Sequence, residues 1–361
     1  MTITRKAGIL LVAVFVLLAL AFTGCSADDD DDKDPVKEPK TWTLVQPGVT
    51  GTGGFTGVAY GKNTFVAVTN TKEIFWSADG QTWQKEESGY TDMGNTANYV
   101  YFFNDRFLLV DRGATGANAG DNKGHWATSS DGKTWNDVVD APVQNTAATG
   151  GGVYANGKAI VGSNGSNIYV SDDFLNWNAK ATGLSRTNPE TSVVTNINWI
   201  NSVAYGKGKY VIGGGGGLIG YSGDLETWTN ISWTTGSDLF GTGNNDYINQ
   251  IVFSADKGLF LAIGGPSGGQ CIAATSPDGI TWTQIDDIKI TTNDNRIFVG
   301  YGAGVFITAF GSAASYTTDA YHWTLIADTK FGTSTINAIG YGAGKFVMVG
   351  GDGKIAYSIP E

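Results

Sequence analysis

An all-β ring of seven four-stranded sheets is the fold this sequence predicts. Three features predict it: a tryptophan-ended phrase present six times, a paired-strand phrase present seven times, and a first strand that matches the missing end of the last repeat. Aligned on tryptophan, the chain reads "SADGQTW" to Trp83, "SSDGKTW" to Trp135, "SDDFLNW" to Trp177, "SGDLETW" to Trp228, "SPDGITW" to Trp282 and "TTDAYHW" to Trp323. Every copy has Ser or Thr six residues before the Trp and an Asp four before it, at Asp79, Asp131, Asp173, Asp224, Asp278 and Asp319. Self-similarity at a period of roughly 40 to 50 residues is the mark of a repeat architecture.

The elements follow in chain order. Arg5 and Lys6, the apolar run Ile9 to Phe22 and the small residues before Cys25 have the layout of a signal peptide, residues 1–24. Fourteen apolar residues are too few to span a hydrocarbon core of about 30 Å. Residues 25–40, "CSADDDDDKDPVKEPK", hold no apolar run able to offset ordering entropy and read as a solvated tether. Consecutive carboxylates repel and form no cage, so no metal site is expected there.

From residue 41 to 361 the paired-strand phrase takes over: "VAYGKNTFVAV", "VYFFNDRFLLV", "VYANGKAIV", "VAYGKGKYVIG", "VFSADKGLFLAIG", "VGYGAGVFITA" and "IGYGAGKFVMVG". Two β-branched and aromatic runs about a Gly, Asn, Asp or Lys turn make a hairpin. A third strand ("LIGYS"), the Asp turn and a Trp-led fourth strand ("WTNIS") complete a four-stranded propeller blade. The 52 glycines suit tight turns and narrow inner strands. The last repeat stops at Glu361 before any Trp, whereas "TWTLV" at 41–45 matches "HWTLI" at 322–326. The strand at 41–46 is therefore expected to complete blade seven and close the ring, removing open sheet edges.

The Ser-x-Asp…Thr-Trp phrase resembles the Asp-box of BNR-repeat propellers, a family that includes sialidases, tandem-propeller endoglucanases and photosystem assembly factors. It departs from the usual box in one respect, since the Gly follows the Asp directly. The expected role is structural, with the Asp accepting backbone N–H groups of a tight turn and the Trp covering the neighbouring sheet. The resemblance also implies that ligands bind on the opposite face. "LAFTGC" resembles a bacterial lipobox, which implies cleavage before Cys25 and acylation of that residue. The acidic run after it resembles the surface-export signals of Bacteroidota-type lipoproteins, implying outer-membrane display through the lipid anchor alone.

Binding residues concentrate on long loops of a rigid scaffold. The rim opposite the Asp turns offers Arg112, His125, Arg186, Glu190, Trp199, Trp233, Asp246 and Arg296 as candidates, with Tyr90, Asp92, Asp121, Asp238 and Tyr247 nearby. A polar row, Thr56, Asn98, Asn201, Gln250 and Asn337, precedes the inner-strand Val or Ile, with Gly150 and Ile297 as exceptions. It either lines the channel or bonds inner-strand backbones. Two histidines and the lone Cys271 left after processing match no zinc spacing and allow no disulfide, so neither metal nor cofactor is expected. Without Arg5 and Lys6, 21 basic residues face 34 acidic ones, net −13, which disfavours nucleic acid.

The expected function is non-catalytic binding of a glycan or surface protein by a monomeric, surface-anchored propeller. The alternative is a glycoside hydrolase or lyase. A sialidase, the least favoured form, needs an arginine triad for its substrate carboxylate, and only Arg112, Arg186 and Arg296 are available on the rim.

Overall fold

The computed structural model describes residues 36–45, 53–71, 73–86, 99–110, 126–137, 151–163, 165–187, 194–196, 199–231, 240, 246–266, 271–285, 288 and 297–361. Seven antiparallel four-stranded sheets are formed, six from consecutive strands and one from the two ends of the described chain. No α-helix occurs among the described residues, and none is long and apolar enough to cross a membrane. A two-stranded hairpin, Ser185–Thr187 with Val194–Asn196, stands between blades three and four.

Within each blade the inner strand meets the second across a tight turn. Lys62-Asn63, Asn104-Asp105, Asn156-Gly157, Lys207-Gly208, Ala303-Gly304 and Ala343-Gly344 all have both φ angles positive. This is the two-residue turn whose twist matches paired strands. Blade five differs, because its turn runs through Ala255, Asp256, Lys257 and Gly258 between Ser254 and Leu259.

The core is divided among the interfaces between blades. Val66, Val68 and Ile74 of blade one pack on Val100, Phe107 and Leu109 of blade two, and similar clusters fill the other six junctions. Second strands are buried on both faces and are correspondingly apolar along their length, as in Val305–Phe310. The interfaces are also stitched by hydrogen bonds near the axis. Asn201 Nδ2 donates to the Ile248 carbonyl at 3.0 Å, and Asn337 Nδ2 donates to the Phe55 carbonyl at 2.8 Å. Ser202 Oγ accepts from the Ile251 N–H at 2.9 Å, while Gln250 Oε1 accepts from the Val299 N–H at 2.7 Å.

These bonds correct the sequence alignment of blade five. Register shifts at Thr56, Asn201 and Asn337 mark a β-bulge, and in blade five the bulged residue is Asn249. Gln250 occupies the position of Ser202 and does its work. The longer turn after Ser254 displaced the alignment by one residue.

Blade seven closes as expected. Thr43, Leu44 and Val45 pair with Tyr357, Ala356 and Ile355. Trp42 is buried against blade six, and Val45 against blade one, so the first strand seals both sides of its blade. The closure starts earlier than residue 41. Glu38 and Glu361 exchange two backbone hydrogen bonds of 3.0 and 3.1 Å, and the Glu38 carboxylate accepts the Tyr316 hydroxyl at 2.9 Å. Glu38, within the stretch read as tether, is thus hydrogen-bonded to the other end of the described chain.

Candidate functional site: the rim beside blades four and five

Six Asp turns occupy the face where inner hairpins also turn. In the first, Ser77 Oγ accepts the Gly80 N–H at 2.8 Å and donates to Asp79 Oδ1 at 3.0 Å. The same Oδ1 accepts the N–H groups of Gln81 and Thr82, each at 2.8 Å. Asp131, Asp173, Asp224, Asp278 and Asp319 repeat the pattern. The residue after the Asp has positive φ in all six, so the Gly found there in three copies sits where a left-handed residue is required. Phe174, Leu225 and Ala320 hold this conformation despite their Cβ.

All six carboxyls titrate below the ordinary aspartate range. For Asp173, Asp224 and Asp278 the leading cause is the backbone N–H three residues on, at Asn176, Thr227 and Thr281. For Asp79, Asp131 and Asp319 partial burial acts in the opposite sense and is outweighed by the hydrogen bonds together. A carboxylate held ionised by its own turn is a poor general acid or base near neutral pH.

Near the axis, inner strands of blades one, two, five, six and seven line a space of about 130 Å³, with Thr56, Tyr99, Gln250, Phe298 and Asn337 among its residues. The described residues that line it include no carboxylate, lysine, arginine or histidine. Among the described residues no three His, Cys, Asp or Glu side chains gather as a metal site.

On the rim the blades are unequal. At blades six and seven the described loops are short and tied down: Thr329 Oγ1 donates to the Ser312 carbonyl at 2.8 Å, Lys354 Nζ to the Phe331 carbonyl at 2.7 Å, and Ser334 Oγ to the Asp352 carboxylate at 2.6 Å. At blades four and five the sheet rises instead. The inner hairpin of blade five extends to Asp246 opposite Pro266 and Tyr247 opposite Gly265. The Gly215 N–H donates to the Trp199 carbonyl at 2.9 Å, and Gly215 bridges to Tyr247. This brings the Trp199 and Tyr247 rings to 5.6 Å between centroids, tilted by 35°, each half-buried at the junction of the two blades.

Of the rim candidates, Trp199 is therefore placed beside Tyr247. Arg186 lies in the hairpin ahead of blade four, in register with Thr195, and Asp246 heads the raised strand of blade five. Arg112, His125, Glu190, Trp233 and Arg296 lie outside the described residues, as do Cys25, Tyr90, Asp92, Asp121 and Asp238. Sequence reasoning named Trp199 and Tyr247 separately and missed their pairing. The glycine run 213–217 contains Gly215, whose backbone reaches both Trp199 and Tyr247, but nothing in the local sequence marks that pairing.

No family model and no curated protein matches the chain. Solved structures do. YCF48 bound to D1 peptide aligns with a TM-score of 0.58 and 16% identity, over 91% of this chain and 100% of that one. YCF48 from Cyanidioschyzon merolae aligns at 0.60 and 16%, over 88% and 98%. A catalytically inactive virginiamycin B lyase from Staphylococcus aureus, with quinupristin, aligns at 0.64 and 11%, again over 88% and 98%. At such identities the likeness is one of fold, and the fold is the seven-bladed β-propeller.

Proposed function

We propose that this chain is a surface lipoprotein, acylated at Cys25 and held at the outer membrane, whose propeller binds a protein or glycan partner on its rim without transforming it. The observation that supports this reading is the raised wall at blades four and five, where Trp199 and Tyr247 present two partly exposed rings. Paired aromatic faces suit a sugar ring or an extended peptide with apolar side chains, since each ring supplies large contact area at low entropic cost. Arg186 and Asp246 flank the pair along the chain, and Arg112, His125, Glu190, Trp233 and Arg296 complete the proposed rim set. That YCF48, a structural neighbour, has been solved with a peptide favours the polypeptide arm.

The test is binding of the purified chain to glycan and peptide arrays, run alongside a screen for glycoside hydrolysis and lyase turnover. Binding without product is the expected outcome, with Trp199→Ala weakening it by about tenfold or more, as for a buried aromatic anchor. Product formation removed by rim substitutions would replace the binding reading with the hydrolase or lyase alternative.

A further inference from the structure

The hairpin of Ser185–Thr187 with Val194–Asn196 is a sheet of its own, and among the described residues no further strand joins it. It is fastened to the blades on either side. Thr182 Oγ1, just ahead of it, donates to the Ser166 carbonyl of blade three at 2.8 Å, and Asn230 Nδ2, in the outer strand of blade four, donates to the Ser185 carbonyl at 2.9 Å. Leu184, 4% exposed, fills the space over Gly220 of blade four, where an added Cβ would stand 2.3 Å from its Cδ1.

The Asn230 bond fixes which way the hairpin backbone faces. The Ser185 carbonyl accepts from outside the hairpin, so Ser185 and Asn196 are a pair whose main-chain groups point outward. Opposed pairs of an antiparallel ladder alternate, which makes Arg186 and Thr195 the mutually bonded pair and turns Thr187 and Val194 outward again. The outer edge of the second strand therefore presents the N–H and C=O groups of both Val194 and Asn196.

The sequence does nothing to close this edge. Exposed strand edges are ordinarily blunted by lysine, proline or a bulge. The stretch "TSVVTNIN", 191–198, has no charge and no proline, five of its eight residues are β-branched, and the hairpin register runs without a shift. Val194 is 60% exposed. Three residues past Asn196 the chain reaches Trp199, whose ring lies 5.6 Å from that of Tyr247.

We propose that the Val194–Asn196 edge takes an extended polypeptide segment as a third strand, its main chain bonded to Val194 and Asn196 and its course continuing onto the Trp199 and Tyr247 rings. This rests on the rim-binding reading and narrows its partner to a protein. An open edge offers donors and acceptors in the order and spacing of another main chain, a register that sugar hydroxyls do not share. Because the hairpin is already packed on blades three and four, pairing spends little entropy on ordering it.

The experiment selects binders of the purified chain from a phage-displayed library of random dodecapeptides, then remakes the selected peptide with one N-methylated peptide bond at a time. Methylation is expected to weaken binding about fivefold or more at alternate positions and little at those between, because only every second N–H of an added strand faces the protein. Val194→Pro and Asn196→Pro remove the outward N–H groups and leave the Arg186–Thr195 pair in place, so each should weaken the same peptide about fivefold or more with the thermal unfolding midpoint unchanged. The methylation scan uses the parent protein and stands even if a proline variant misfolds. A scan without the alternation, or a library that yields no binder, would overturn strand addition. Trp199→Ala still weakening a bound glycan or peptide in that case would leave the rim reading standing. A dimer of the chain in sedimentation that Val194→Pro dissolves would assign the edge to a second copy and overturn the proposal as well.

Discussion

Exchanging volume between Phe174 and Ala159 tests the packing logic of the ring. In six blades an inner-strand aromatic packs against an aromatic of the second strand, as Tyr60 does on Phe65 at 4.6 Å and Phe253 on Phe260 at 4.7 Å. Blade three has Ala159 at the second-strand position, and the ring comes from the Asp turn instead: Phe174 stacks on Tyr154 at 5.9 Å and 14°. Where the turn has Gly, as at Gly80, an added Cβ would touch Phe65 at 3.2 Å, so phenyl and turn side chain compete for one space. Phe174 also holds φ of 67° and carries the Arg106 guanidinium 5.7 Å above its ring.

Phe174→Gly alone relieves a left-handed residue, about 1–2 kcal/mol, but empties a buried phenyl site, about 3–5 kcal/mol, for a net loss of about 2–3 kcal/mol. Ala159→Phe alone overpacks, costing about 1–3 kcal/mol. The double variant recreates the arrangement of blades one, two and five. It should return to within about 1 kcal/mol of the parent, giving a coupling of about 2 kcal/mol or more between the sites. Guanidinium unfolding followed by tryptophan fluorescence measures all four corners of the cycle. A double variant as unstable as the two losses added together would refute the shared-volume argument.

Other outcomes follow from the same structure. Because the six Asp-turn carboxyls titrate below their unfolded value, their stabilisation is complete above that value and disappears as pH falls through the folded ones; unfolding midpoints should be flat from about pH 8 to 5 and drop below about pH 4, with Asp173→Asn flattening the drop. A midpoint that fell between pH 8 and 6 would contradict this. Val45→Asp puts a charge into the junction of blades seven and one, where Val45 is 6% exposed, and should cost about 3 kcal/mol or more and promote aggregation through the freed edge at Ile355–Ser358, read by light scattering. Burial at Cys271 pushes its thiol well above the ordinary range, so alkylation at about pH 8 should proceed only in denaturant. Asn249→Ala should lower stability more than Thr56→Ala if the amide bulge bridges blades, a comparison made by thermal unfolding.

Much of this architecture was legible because propeller signals are local and repeated. The tryptophan phrase, the turn dipeptides and alternating strands each depend on neighbours within a dozen residues, so six copies average away the noise of any one. Closure by "TWTLV" was readable for the same reason, as a repeat cut in two. Contacts between blades were less legible. The placement of Gln250 in the polar row failed because a longer turn changed the count without changing the pattern. The exchange between Ala159 and Phe174 leaves no local trace, since each residue is unremarkable in its own segment. Val36 and Glu38 look like tether in sequence and acquire partners only when residues 304, 316 and 361 come beside them.

By itself, then, the amino-acid order determined a ring of seven blades, the residues that turn its strands and the strand that shuts it, because backbone pairing and turn conformation are decided within short stretches. Only the tertiary structure decided which amide crosses to which blade, that Trp199 meets Tyr247, and that Glu38 meets Tyr316 and Glu361. Those depend on distances between segments some 50 to 300 residues apart, which are set by how twisted sheets pack around an axis.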